Sequence, residues 1–242
     1  APSGVKIIEW GNRISFAYFT KDGLTKEAFK GLAVDVCVND QLACSAPQLV
    51  YYETESREEL LDFAEKLMKE LQEVSNTYPL HPMSVAERAE LTTQEQLCYL
   101  DEIMGEAKVL KGEGCRIFVK YDNELCASPL YRTVILKPIL RRDIVNVLRP
   151  FRSYLQSVGL SCGREEIAPL STLLLSGGVN RITEPGLMMS GYTGEPHDGV
   201  YAMTQYLKRV SLINEHLPKG CMSLAEMQPM KEAPFEKGTP LM

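Results

Sequence analysis

Asn39-Asp-Gln-Leu-Ala-Cys44-Ser-Ala-Pro-Gln48 joins two segments of opposite character. Ahead of it, Thr25 can cap a helix whose apolar positions Phe29, Leu32, Ala33 and Val36 recur at three- and four-residue spacing. Behind it, Gln48 to Tyr52 is a short apolar run of the kind that forms a buried strand. A helix returning to a strand through a tight loop is the repeating step of an α/β sheet. The loop itself is a place for chemistry. Free cysteine is most often a small buried hydrophobe, but Cys44 has small and polar neighbours in Ala43, Ser45 and Ala46, and Pro47 prevents the helix from continuing.

Outward from this stretch the alternation continues. Two strands are expected to open the chain, Val5 to Trp10 and Arg13 to Phe19. Ser56-Arg-Glu-Glu59 reads as a capping box ahead of an apolar stripe through Leu60, Phe63, Ala64, Leu67, Met68 and Leu71. After Pro79-Leu-His-Pro82, Ser84 and Thr92 each offer a further cap within helical sequence reaching toward Val109. Lys111-Gly-Glu-Gly114 is a turn, followed by strands at Arg116 to Tyr121 and Arg132 to Leu136. The spacing of Ile144, Val147, Leu148, Phe151 and Leu155 predicts a helix over Arg141 to Ser157. Another helix is predicted over Glu165 to Leu175, closed by Gly177-Gly178. The expected fold is α/β: an open, mostly parallel sheet with helices on both faces. Residues 1–178 are read as one domain carrying Cys44, and residues 179–242 as a Gly/Pro-rich C-terminal segment with a short helix near Val200 to Val210.

Composition narrows the class. The 242 residues are 45% hydrophobic and 24% charged, enough for a sizeable core, and carry a net charge of −6 without a Lys/Arg run. That balance argues against nucleic acid or an anionic membrane as the main partner. No apolar run approaches the length of a membrane span. Seven cysteines without a CxxC pair suggest neither a disulfide framework nor a metal site, and a reducing cytoplasm is the expected compartment. The start at Ala1-Pro-Ser-Gly has no features of a signal peptide, and the chain is expected to be part of a longer protein.

Glu9 stands 35 residues ahead of Cys44, beside Gly11 at the end of the first predicted strand, and reads either as a functional carboxylate or as a solvated strand end. Ile8-Glu-Trp-Gly11 followed by Asp40-Gln-Leu-Ala-Cys44-Ser-Ala-Pro-Gln resembles the catalytic half of the aldehyde dehydrogenase superfamily. More narrowly, Gln-x-x-Cys-Ser-x-Pro-Gln resembles the acyl-CoA reductase, or LuxC, family, the fatty acid reductases of bacterial bioluminescence. Ala127-Ser-Pro-Leu-Tyr-Arg-Thr133, Gly178-Val-Asn-Arg-Ile182 and Glu195-Pro-His-Asp-Gly199 extend that similarity.

The resemblance implies an aldehyde dehydrogenase catalytic domain-like fold and reduction of a long-chain acyl thioester, as acyl-CoA or acyl-protein, to fatty aldehyde. It implies NADPH as cofactor, with the main nicotinamide-binding domain outside this chain. Cys44 would form the acyl-enzyme, because a thiolate attacks an acyl carbon readily and leaves well. The amides of Cys44 and Ser45 would face the acyl oxygen. Glu9 would carry a proton or activate water. By the same analogy Glu124 would contact the nicotinamide ribose, although Glu124-Leu-Cys-Ala-Ser-Pro129 departs from the usual pattern, and His197 would orient the cysteine or a cofactor phosphate, or bridge two loops structurally. Acyl-transferring enzymes and a second copy of the chain are the expected partners. Two other readings stay open: an aldehyde dehydrogenase working in the oxidising direction with Glu9 as base, and a non-catalytic α/β assembly module.

Overall fold

A computed structural model describes Ile8 and residues 11–207. The strand expected at Val5 to Trp10, Glu9 and everything beyond Leu207, including His216 and Cys221, lie outside the described residues. Seven strands form one sheet: β1 (Ile14–Phe19), β2 (Pro47–Tyr52), β3 (Ala107–Lys111), β4 (Arg116–Lys120), β5 (Thr133–Pro138), β6 (Leu155–Ser161) and β7 (Arg181–Thr183), in the order β3-β4-β5-β2-β1-β6-β7. All neighbours run parallel except β3 against β4. The compact unit continues through Gln205.

The strands are apolar on both sides because helices cover both faces, as parallel sheets require. Alternate residues of β1 and β2 divide between two cores. Ala17, Phe19, Val50 and Tyr52 pack with α1 (Lys26–Cys37) and α2 (Arg57–Ser75), where Phe19, Phe29 and Phe63 form an aromatic cluster. Phe16, Tyr18, Leu49 and Tyr51 pack on the other face with α4 (Ile144–Leu148) and α5 (Ile167–Gly177). The local signals act as expected at several ends: Thr25 accepts the Ala28 amide at 3.1 Å, Ser56 accepts the Glu59 amide at 3.2 Å, and Gly178 ends α5 at φ 114°.

Three expectations are corrected. The helix predicted over Arg141 to Ser157 ends at Leu148, and Leu155 begins strand β6, which pairs with β1. Pro150 cannot continue a helix without losing an amide bond and clashing with the preceding turn, and the apolar spacing concealed a strand that is buried on both faces. The helical sequence from Ser84 forms one helix, α3 (Val85–Ile103), with Thr92 inside it donating to the Arg88 carbonyl at 2.8 Å rather than capping a second helix. The chain turns at Gly105, φ 78°, so Val109 belongs to β3. Strand β7, unforeseen, extends the sheet beyond Gly178, ahead of a short helix α6 (Ala202–Tyr206).

Candidate active site

The loop from Asn39 to Ala46 is held by buried polar groups rather than by regular structure. Asp40 and Gln41 adopt left-handed conformations, φ 48° and 64°, which non-glycine residues rarely hold without support. Their side chains supply that support. The Gln41 amide donates to the Pro47 carbonyl at 2.8 Å and its oxygen accepts from the Thr133 amide at 2.8 Å. The Asp40 carboxylate pairs with the Arg132 guanidinium and accepts from the amide of His81 at 2.7 Å. Asp40 and Arg132 are 0% and 1% exposed, and Arg132 also donates to the Tyr78 carbonyl at 2.8 Å. Burial pushes the Asp40 carboxyl up, but the hydrogen bonds from His81 and Arg132 outweigh it, so the net shift is downward.

Cys44 emerges from this framework exposed to solvent. Its carbonyl oxygen accepts a 2.7 Å hydrogen bond from Ser15 on β1, whose hydroxyl in turn accepts from the Ser157 amide on β6 at 3.1 Å. One hydroxyl thereby ties the cysteine backbone to two strands. Among the described residues, neither the Cys44 nor the Ser45 amide donates to a protein acceptor, which leaves both available to an acyl oxygen. The Ser45 hydroxyl donates to Met189 Sδ at 3.4 Å, a weak acceptor.

The facing wall of the cleft, whose volume is about 180 Å³, comes from residues after Gly178. Arg181 ties this wall together, bonding Glu195 at 2.7 Å, the Met188 carbonyl at 2.8 Å and the Ser190 carbonyl. Asp35 on α1 accepts the Gly186 amide at 2.5 Å from the other side. Burial pushes the Asp35 carboxyl up to about 6, a rise that the loop amides and the Arg181 charge only partly oppose. Asp198, 5% exposed and at φ 50°, receives Arg13 Nε at 2.9 Å and Gln156 Nε2 at 2.6 Å.

The cleft sits at the amino ends of β1, β2, β6 and β7, since Ser15, Pro47, Gln156 and Arg181 all stand at or near strand starts. This placement separates the expected site residues. Cys44, Ser45 and His197 line one cleft, with the His197 ring more than half exposed and its backbone paired to Val200 at 2.9 and 3.0 Å. Glu124 lines another cleft, with Thr54, Pro138 and Asp143 around the carboxyl ends of β2 and β5, so the structure does not bring it to Cys44. Sequence reasoning gave no role to Ser15, Asp40, Gln41, Arg132, Arg181 or Asp198, although all but Ser15 stand in the motifs that carried the resemblance.

Comparison with known proteins now places this arrangement. The acyl-CoA reductase (LuxC) family profile matches residues 1–209. The chain belongs to the LuxC family. Similar proteins include the long-chain acyl-protein thioester reductase of Aliivibrio fischeri, 28% identical over 213 residues, covering 86% of this chain and 42% of that protein. Another is long-chain acyl-protein thioester reductase 2 of Photobacterium leiognathi, 26% identical over 215 residues, covering 87% and 43%. The chain thus spans less than half the length of these LuxC relatives. Solved structures of like fold include aldehyde dehydrogenases. The P. syringae indole-3-acetaldehyde dehydrogenase AldA, in complex with NAD+, matches with a TM-score of 0.59 at 9% identity over 81% of this chain and 44% of that one. KauB of Pseudomonas aeruginosa matches with a TM-score of 0.57 at 10% identity over 81% and 44%. At such identities the likeness concerns the fold, and it agrees with the aldehyde dehydrogenase-like α/β sheet expected for a LuxC chain.

Proposed function

We propose that this chain is the thiol-bearing portion of an NADPH-dependent reductase that converts a long-chain acyl thioester, acyl-CoA or acyl-protein, to the fatty aldehyde through an acyl group carried on Cys44. The observation that carries this reading is an exposed cysteine on a loop fixed by buried polar groups, with two uncommitted amides beside it, in a LuxC-family chain. Thiolate attack moves the carbonyl electrons onto the acyl oxygen, the Cys44 and Ser45 amides receive that charge, and collapse expels the donor thiol. Residues 1–178 are assigned to this thiol domain and residues 179–242 to a C-terminal segment returning to the cofactor-binding part of the protein or to an oligomer interface, with residues between Asn180 and Asp198 walling the cleft.

The Cys44 cleft does not fit a whole dinucleotide. Its volume of about 180 Å³ falls below the roughly 300 Å³ at which small-molecule pockets begin, and Glu124 stands in the other cleft. We therefore assign NADPH binding mainly to parts of the protein beyond these residues, with His197 as the cofactor-side group nearest the thiol. Glu9 is assigned the role of proton carrier or water activator, and the surroundings a reducing cytoplasm. Incubation of the 242-residue chain with a long-chain acyl-CoA should give slow acylation at Cys44 by mass spectrometry and no NADPH oxidation above background. Acylation elsewhere, or none, would overturn the role of Cys44. Steady aldehyde production would overturn the division of labour.

A further inference from the structure

The Cys44 cleft holds a hydroxyl that the fold does not use. Ser157, the third residue of β6, is 0% exposed, and its Oγ has no hydrogen-bond partner among the described residues. Buried hydroxyls are nearly always bonded, and leaving one unpaired is destabilising. Ser157 nevertheless lines the cleft of Cys44. The backbones of the two residues are one hydroxyl apart, since Ser15 Oγ lies 2.7 Å from the Cys44 carbonyl oxygen and 3.1 Å from the Ser157 nitrogen.

Most other side-chain donors around the cleft already make a bond. Arg181 holds Glu195 and two loop carbonyls, the Asn180 amide donates to the Leu155 carbonyl at 3.3 Å, and Gln156 Nε2 donates to Asp198 at 2.6 Å. Gln156 Oε1 is also unpaired, but it is an acceptor and would repel negative charge. Ser157 is the buried hydroxyl of the cleft, able to donate to a ligand without breaking a bond of the fold.

We propose that Ser157 is a catalytic residue whose hydroxyl donates to the acyl oxygen as Cys44 is acylated, joining the Cys44 and Ser45 amides. This inference rests on the acyl-transfer reading above. In the step, the Cys44 thiol proton is lost to solvent and its sulfur bonds to the acyl carbon, placing the carbonyl pair on oxygen. The pair returns as the carbon–sulfur bond to the donor breaks, and the departing thiolate takes up a proton. Ser157 keeps its own proton throughout. Its contribution grows with charge on the oxygen, which is the differential stabilisation that accelerates a step.

The test is Ser157→Ala in the 242-residue chain, read by two reactions of the same sulfur. Acylation by a long-chain acyl-CoA develops an oxyanion; alkylation by iodoacetamide does not. The variant should lose about 100-fold in the acylation rate, the scale of removing one such donor, while its alkylation rate stays within about twofold of the parent and its melting temperature is no lower, since no bond of the fold is lost. Ser157→Thr, which keeps the hydroxyl, should recover at least part of the rate. Unchanged acylation in Ser157→Ala, or an equal fall in both reactions, would overturn the assignment. Absence of acylation in the parent chain would instead fail the underlying reading.

Discussion

Replacing Arg132 by methionine removes one half of the buried pair that fixes the cysteine loop. The Asp40 carboxylate would remain fully enclosed with only the His81 contacts. Breaking a buried pair from one side costs about 3 to 5 kcal/mol, because the remaining charge is enclosed without its counter-charge. Arg132→Met should therefore lose about that much stability in urea unfolding at pH 7.5. The double variant Asp40→Leu with Arg132→Met removes the stranded charge and should recover at least half of the loss. The pH dependence has a definite sign. The folded Asp40 carboxyl titrates below its unfolded value, so its contribution is complete above about pH 4 to 5 and disappears as the pH falls through the depressed value. Arg132→Met should lack that part of the acid transition. A loss under about 1 kcal/mol for the single variant, or a double variant no better than the single, would refute the claim that this pair fixes the loop.

Three other variants test separate elements. Asp35→Asn keeps an acceptor for the Gly186 amide but removes a carboxyl whose folded value is raised to about 6. A raised carboxyl means the parent gains stability as pH falls from above 6 toward 4, so the variant should be more stable at pH 7.5, on the order of 2 kcal/mol, and lack that gain in thermal melts across the range. Gly31→Ala places a methyl 2.4 Å from the Pro185 carbonyl oxygen, a backbone atom of the segment that leads into the cleft wall at Met188 and Met189. It should cost about 1 to 3 kcal/mol by chemical denaturation and slow Cys44 acylation as Met189 shifts. Cys44→Ser should melt like the parent and show no acylation in intact-mass spectra, because serine without a strong base is a poor nucleophile.

The sheet was legible where local pattern and burial agree. The helix from Thr25, the strand after Pro47 and the glycine stop at Gly178 follow from caps, apolar spacing and backbone freedom that neighbouring residues settle among themselves. Strand β6 was not, because Val147, Leu148, Phe151 and Leu155 satisfy a helical period by coincidence while Pro150 and pairing with β1 decide otherwise. The site divided in the same way. Cys44 could be singled out by its small neighbours and Pro47, and His197 shares its cleft. The groups that hold the cleft could not, since Asp40 meets Arg132, Ser15 meets Ser157 and Asp35 meets Gly186 across long separations that no periodicity encodes. Glu124 was placed by motif analogy, and distance along the sheet is something a motif does not state.

The Asp40–Arg132 pair closes 92 residues of chain. The helix ahead of the cysteine and the strand behind it are adjacent in sequence, yet the turn between them is set by a side chain that arrives only with β5. Closing so long a loop carries an entropic cost that local contacts cannot repay in advance. The geometry of the thiol is thus borrowed from the far part of the sheet. A peptide from Thr25 to Tyr52 contains every residue of the motif and lacks the means to hold it in shape.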